Sequence, residues 1–170
     1  RGEGGSGVLR PELTSLPHAV SGGFQTDFWS PMFHAAGEKR GLPPLPATLG
    51  ILCDPNAPAL AAFPTAFHSD WQWWHLVKNA RPVKFDDTPD SYRPTVQVID
   101  NFVRNSKLGL IAETRVGEGK LLICSIDLLG LQDKPEARQL LHSLLQYVGS
   151  RKFAPDKEIE TELLKRLFPE

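Results

Sequence analysis

The stretch from Phe63 to Trp74, Phe-Pro-Thr-Ala-Phe-His-Ser-Asp-Trp-Gln-Trp-Trp, constrains this chain most, because it holds three of the four tryptophans. Ser69 followed three residues later by Gln72 has the spacing of a capping box. It predicts a helix that runs to about Asn79 and stops before Arg81-Pro82. On a 3.6-residue period Trp73, Leu76, Val77 and Ala80 share one face, the expected core face. Trp71 and Trp74 fall on a neighbouring face, so the helix carries more aromatic surface than one packing stripe uses. Two readings stand. In one, a neighbouring segment or domain covers Trp71 or Trp74, since large aromatics are mostly core or interface material. In the other, they form an exposed platform for a ring-shaped ligand such as a sugar, with His68 and Asp70 as polar edge groups.

The remaining composition narrows the classes. At 170 residues, 41% hydrophobic and 23% charged, the chain is long enough for one domain with a substantial core. A formal net charge of -1 gives no electrostatic case for nucleic acid or an anionic membrane. No apolar run approaches the ~20 residues of a membrane span. Cys53 and Cys124 sit in apolar strand-like runs and read as buried thiols, although two cysteines also allow one disulfide. No Cys or His pair has zinc-ligand spacing, and no cofactor is expected. The chain begins at Arg1 and its single methionine is Met32. It is therefore expected to be a piece of something longer, with residues 1–7 as a flexible linker, residues 8–150 as an α/β domain and residues 151–170 as a helical extension.

Along the chain, Val8-Leu9-Arg10 reads as a short strand and Phe24 to Phe33, with Trp29, as a broken helix. Gly41 to Pro46 is a proline-rich loop. Thr48 to Asp54, Val83 to Phe85 and Thr95 to Asp100 are strands. Leu108 to Val116 and Lys120 to Ile126 make a hairpin across Gly117-Glu118-Gly119. A helix from about Pro135 to Val148 carries the stripe Ala137, Leu140, Leu141, Leu144, Leu145 and Val148, with Gly149 at its C′ place. A last amphipathic helix carries Ile159, Leu163, Leu164 and Leu167. This order predicts an α/β fold: a three-layer mixed sheet, flavodoxin- or class I amidotransferase-like, with a C-terminal helical extension.

A family resemblance runs through the same residues. Thr48 to Asp54, Pro58-Ala59-Leu60, Phe63-Pro64-Thr65 and Trp71-Gln72-Trp73-Trp74 come first. Val96 to Phe102, Lys107 to Ile111, Gly117 to Leu122 and Pro135 to Leu140 follow in order. The series, from about Val8 to Phe153, resembles the C-terminal region of large bacterial proteins of the family 2 glycoside hydrolase type, the β-galactosidase-like enzymes. The Gly-x-Gly-Lys hairpin also looks like the end of the amidotransferase-like domains of other β-galactosidases. The resemblance implies a non-catalytic accessory module, with the catalytic carboxylates in a barrel domain outside this chain, and a periplasmic or extracellular setting.

Chemistry within the chain itself finds little support in the residues. Neither cysteine has the glycine-flanked turn of an amidotransferase nucleophile. Ser69, Ser125, His68, His142, Asp100 and Asp127 supply the residue types of a Ser-His-Asp hydrolase, but no Gly-x-Ser-x-Gly presents a serine. Asp54, Asp100 and Asp127 each follow a strand, and in a parallel sheet they would line one rim. Their alternative role is to bond nearby backbone N–H groups at loop starts. The expected function is a carbohydrate-binding accessory domain using Trp71 and Trp74, with His68, Asp70, Asp100 and Asn101 bonding hydroxyls. The alternatives are an interdomain or homo-oligomerisation domain without ligand, and a small Ser-His-Asp hydrolase.

Overall fold

The computed structural model describes residues 6–9, 18–24, 39–40, 48–101 and 104–168. Among them, the strands β1 (Ser6–Leu9), β2 (Thr48–Cys53), β3 (Val83–Lys84), β4 (Val96–Asp100), β5 (Leu108–Val116) and β6 (Gly119–Cys124) form a six-stranded mixed sheet. The order is β1-β6-β5-β4-β2, with β3 also paired to β5. The β1–β6 pairing is parallel and the other pairings are antiparallel. Among the described residues three α-helices accompany the sheet: α1 (Trp73–Lys78), α2 (Pro135–Val148) and α3 (Thr161–Leu167). The chain is an α/β protein. The aromatic segment from Gln25 to Phe33, including Trp29, and the loop from Gly41 to Pro46 lie outside the described residues.

The β5–β6 hairpin closes through Gly117-Glu118, since Val116 already pairs with Gly119. Gly117 has φ 57°, a left-handed conformation that a side chain would strain. Ser6 and Gly7, expected in the linker, instead pair with Lys120 and Leu121 in the sheet. Backbone pairing, which a glycine-rich composition does not reveal, draws this stretch into β1.

Strand direction overturns the shared rim of aspartates. Because β2 and β4 are antiparallel, Cys53 pairs with Val96 and Thr48 with Asp100. Asp54 and Asp100 therefore lie at opposite ends of the sheet. Asp54 accepts the Asn56 N–H at 2.9 Å and Asp127 accepts the Gly130 N–H at 3.0 Å, as loop-start aspartates do.

Two apolar clusters form the core. One gathers Ile51, Phe63, Trp73, Leu76, Leu122 and Leu140; the other gathers Val83, Phe85, Ile123, Ile159, Leu164 and Leu167. Leu122 and Ile123 are consecutive on β6 and their side chains leave the strand in opposite directions. The stripe of α2 differs from its expectation: Leu145 is 56% exposed, while Ser143 and Tyr147 are buried. The cause is polar pairing. Ser143 Oγ donates to the Ala59 carbonyl at 2.7 Å and accepts the Ala62 N–H at 3.1 Å, which holds α2 close to the 3-10 turn Pro58–Leu60. Tyr147 donates to Glu113 Oε2 at 2.6 Å. Gly149 ends α2 at φ −76°, outside the left-handed region expected of a glycine at C′.

Candidate functional site

The site is built on the anchoring of Trp73. Its indole is fully buried, meets Phe63 edge-on at 5.3 Å, and donates from Nε1 to Thr65 Oγ1 at 2.8 Å. With this indole in the core, Trp74, the next residue of α1, turns outward, and Trp71 lies in the turn that leads into the helix. Trp71 is 85% exposed and Trp74 38% exposed. Their rings are parallel within 10° at 6.1 Å, and Phe24 stacks on Trp74 at 5.5 Å with planes 5° apart. Lys78 Nζ lies 4.9 Å from the Trp74 ring centroid, a cation–π contact one turn along α1. Trp71 is thus the outward end of a three-ring stack whose planes the inner rings fix.

The capping box does not form. α1 begins at Trp73 with Gln72 as N-cap and no side-chain cap. Asp70 takes over part of that role, accepting the Gln72 N–H on Oδ1 at 3.3 Å and the Trp73 N–H on its carbonyl at 3.1 Å. The Gln72 amide donates to the Pro64 carbonyl at 2.8 Å, which ties the start of α1 back to the loop after Phe63.

An open groove of ≈ 770 Å³ runs beside Trp71, lined among others by Asp70, Gln72, His75, Glu136 and Gln139. Across it, His75 Nδ1 meets Glu136 Oε1 at 2.7 Å, with side chains 43% and 15% exposed. Burial works against ionisation of Glu136, but its own backbone N–H and His75 together hold its carboxyl below the usual glutamate range. With Nδ1 committed to Glu136, Nε2 is the nitrogen of His75 left to meet a ligand. Gln139 donates its amide to the Ala62 carbonyl, leaving its oxygen as an acceptor. The groove therefore offers a flat apolar wall, an imidazole, two amides and two carboxylates, the complement needed for a ring with one apolar face and a hydroxylated edge.

The expected site residues divide. Trp71 and Asp70 line the groove together, and Trp74 backs Trp71. His68 is exposed on the segment bridged to Leu52 of β2, its Nδ1 donating to the Ser69 carbonyl at 2.9 Å and its ring edge-on to Phe67, so it is not part of the groove wall. Asp100 and Asn101 are 7% and 3% exposed, a correction to their expected role as hydroxyl-bonding groups. Asp100 accepts the Arg104 guanidinium at 2.6 Å and the Ser106 N–H at 3.0 Å, while Asn101 Oδ1 accepts the Arg104 N–H at 3.0 Å. They build the loop after β4. His75, Glu136 and Gln139 carried no signal of their own in the sequence, because the groove is assembled from segments far apart in the chain.

Two of the hydrolase candidates, Ser125 and His142, lie in different settings. Ser125 is fully buried, with its hydroxyl on the Gly109 and Leu110 carbonyls, while His142 is exposed on α2. Cys53 and Cys124 form no disulfide, and burial, then Asp54 and Asp70, push the Cys53 thiol up, away from thiolate character. Among the described residues no cluster of His, Cys, Asp and Glu has the arrangement of a metal site, and no helix is long and apolar enough to cross a membrane.

Residues 2–169 match the family described as a domain of unknown function, DUF8487. The chain belongs to this family. No curated protein matches it.

Proposed function

We propose that this DUF8487 chain is a non-catalytic accessory domain of a bacterial carbohydrate-active enzyme of the β-galactosidase-like type, and that it binds a sugar ring on Trp71. The observation that carries this reading is the Trp71 indole, 85% exposed and held rigid on Trp74 at the edge of a polar groove. An indole this exposed adds little to folding, whereas a sugar's C–H face would desolvate it at small entropic cost. In this reading Asp70, His75, Glu136 and Gln139 bond hydroxyls, and the chain acts outside the cytoplasm as part of its parent enzyme. A three-layer, flavodoxin- or amidotransferase-like arrangement is the finer fold proposed, supported by α1 and α2 joining one apolar cluster and α3 the other.

The test is calorimetric titration with galactans, xylans, glucans and their oligosaccharides. Saturable binding that Trp71→Ala removes from a folded chain is the expected result. Covering one indole face, roughly 80 Å² at about 25 cal/mol per Å², is worth about 2 kcal/mol, or roughly thirtyfold in Kd. Absence of binding across the panel would sink the reading.

A second reading, an interdomain or homo-oligomerisation domain, is favoured by a different surface. Leu52 on β2 is 41% exposed, Ile99 on β4 39%, and Phe67 on the neighbouring segment 61%. Self-association that Leu52→Lys abolishes while Trp71→Ala does not, measured by sedimentation, would select it.

A further inference from the structure

A second, smaller cavity of ≈ 270 Å³ opens at the far end of α1, lined by Gly22, Lys78, Asn79, Arg81 and Asp127 among others. Its walls are held by backbone bonds: Gly22 N–H to the Ala80 carbonyl at 3.0 Å, Val20 N–H to the Pro82 carbonyl at 3.0 Å, and Arg81 N–H to the Ser125 carbonyl at 2.9 Å. A Cβ on Gly22 would come within 2.1 Å of the Val77 carbonyl oxygen, so only glycine lets this segment close on the helix end. The Ala80 carbonyl takes the Gly22 N–H and the Val77 carbonyl takes the Ala80 N–H. These helix-end acceptors are therefore occupied.

Two cationic residues, Lys78 and Arg81, line this cavity beside one acid, Asp127. Among the described residues, Arg81 Nε is buried and has no hydrogen-bond partner. Lys78 Nζ rests over the Trp74 ring. Among the described residues neither makes an ion pair. Asp127, the acid on the wall, directs Oδ1 to the Gly130 N–H. An unanswered buried guanidinium N–H is costly, and planar Arg donors match the oxygens of an oxyanion.

We propose that this cavity is an oxyanion site, taking a sulfate, phosphate or carboxylate group between Arg81 and Lys78. The group arrives either as a free ion or as a substituent on a glycan. The site stands apart from the sugar platform, because Trp71 lines the other groove.

Thermal unfolding tests it in sodium sulfate, sodium phosphate and sodium chloride at equal ionic strength, for the unmodified chain, Arg81→Gln and Lys78→Gln. Sulfate stabilises proteins generally by exclusion, so the informative quantity is the difference between the chain and its variants. The expected result is a larger Tm rise with sulfate and phosphate for the unmodified chain than for either variant. It corresponds to at least a tenfold weaker affinity on losing one charged donor. In chloride, Arg81→Gln keeps its Tm or gains slightly, because it removes a buried N–H that has no acceptor. Equal rises in all three proteins would overturn the site. A second arm titrates a sulfated galacto-oligosaccharide and its desulfated counterpart. Preference for the sulfated sugar, erased by Arg81→Gln, makes the anion a glycan substituent; an Arg81-dependent response to inorganic sulfate without that preference makes it a free ion. Trp71→Ala retains the sulfate response in either case, so the site and the sugar platform fail separately.

Discussion

Trp71 and Trp73 are two residues apart and do opposite work. Trp73 fills the core, packs on Phe63 and has its N–H answered by Thr65. Replacing it with alanine removes an indole from a close-packed interior and leaves a cavity, a loss of about 3–5 kcal/mol. Trp71→Ala removes a ring that is 85% exposed, and its effect on stability is expected to stay within about 0.5 kcal/mol. Urea unfolding of the two variants, beside their oligosaccharide titrations, separates the roles: Trp73→Ala loses stability and Trp71→Ala loses ligand. If Trp71→Ala unfolded as readily as Trp73→Ala, Trp71 would be a packing residue and the platform would fall. The helical period alone separates these two faces in the sequence. It says nothing of what stands opposite Trp71, because His75 and Glu136 are 61 residues apart and only the packing of α1 on α2 joins them. Asp100 misled for a related reason: a strand-end aspartate looks alike whether it meets a ligand or, as here, Arg104 and Ser106.

Between elements, the His75–Glu136 contact at 2.7 Å ties the start of α2 to α1 and shapes the groove floor. Glu136 is more acidic in the folded chain than a free glutamate. Its contribution is therefore fully present above the unfolded value, near pH 4.3, and is lost as pH falls through the lower folded value. Glu136→Gln is expected to destabilise the chain by about 1 kcal/mol at neutral pH, a charge-assisted bond discounted for the exposure of His75. The deficit should shrink toward zero as the solution is acidified below about pH 4, because the unmodified chain then loses the same contribution. Urea midpoints at pH 7, 5 and 3 measure this, and a deficit independent of pH would show that the pairing does not depend on the carboxylate. The face of α2 was half legible. Ala137, Leu140 and Leu144 follow the apolar period, but Ser143 replaces Leu145 in the interior because its hydroxyl answers Ala59 and Ala62. Hydrophobicity does not encode a polar group buried by its partners.

For the whole molecule, element order was legible and direction was not. Periodicity marks where strands and helices fall, whereas the antiparallel run of β2 against β4 depends on connections that carry no local pattern. The status of the C-terminal residues is the sharpest consequence. Residues 151–170 were expected as an extension, yet Ile159, Leu163, Leu164 and Leu167 are all buried in the cluster that covers Val83, Phe85 and Ile123. The Ile159 N–H also reaches Thr114 Oγ1 of β5 at 2.8 Å, and the Lys157 carbonyl accepts the Arg115 N–H at 2.8 Å. At about 1.5–3 kcal/mol for each of these four side chains, α3 and its approach contribute up to roughly 6–12 kcal/mol. That is comparable to the roughly 5–15 kcal/mol by which a whole domain is stable. A chain ending at Lys157 is therefore expected to lose its cooperative thermal transition and to bind a hydrophobic dye, because one face of the sheet would lie open to water. A truncated chain that melted cooperatively at an unchanged Tm would make α3 an appended element and restrict the folding unit to residues before it. Loss of the transition instead makes α3 part of the single structure that holds Trp71 in place.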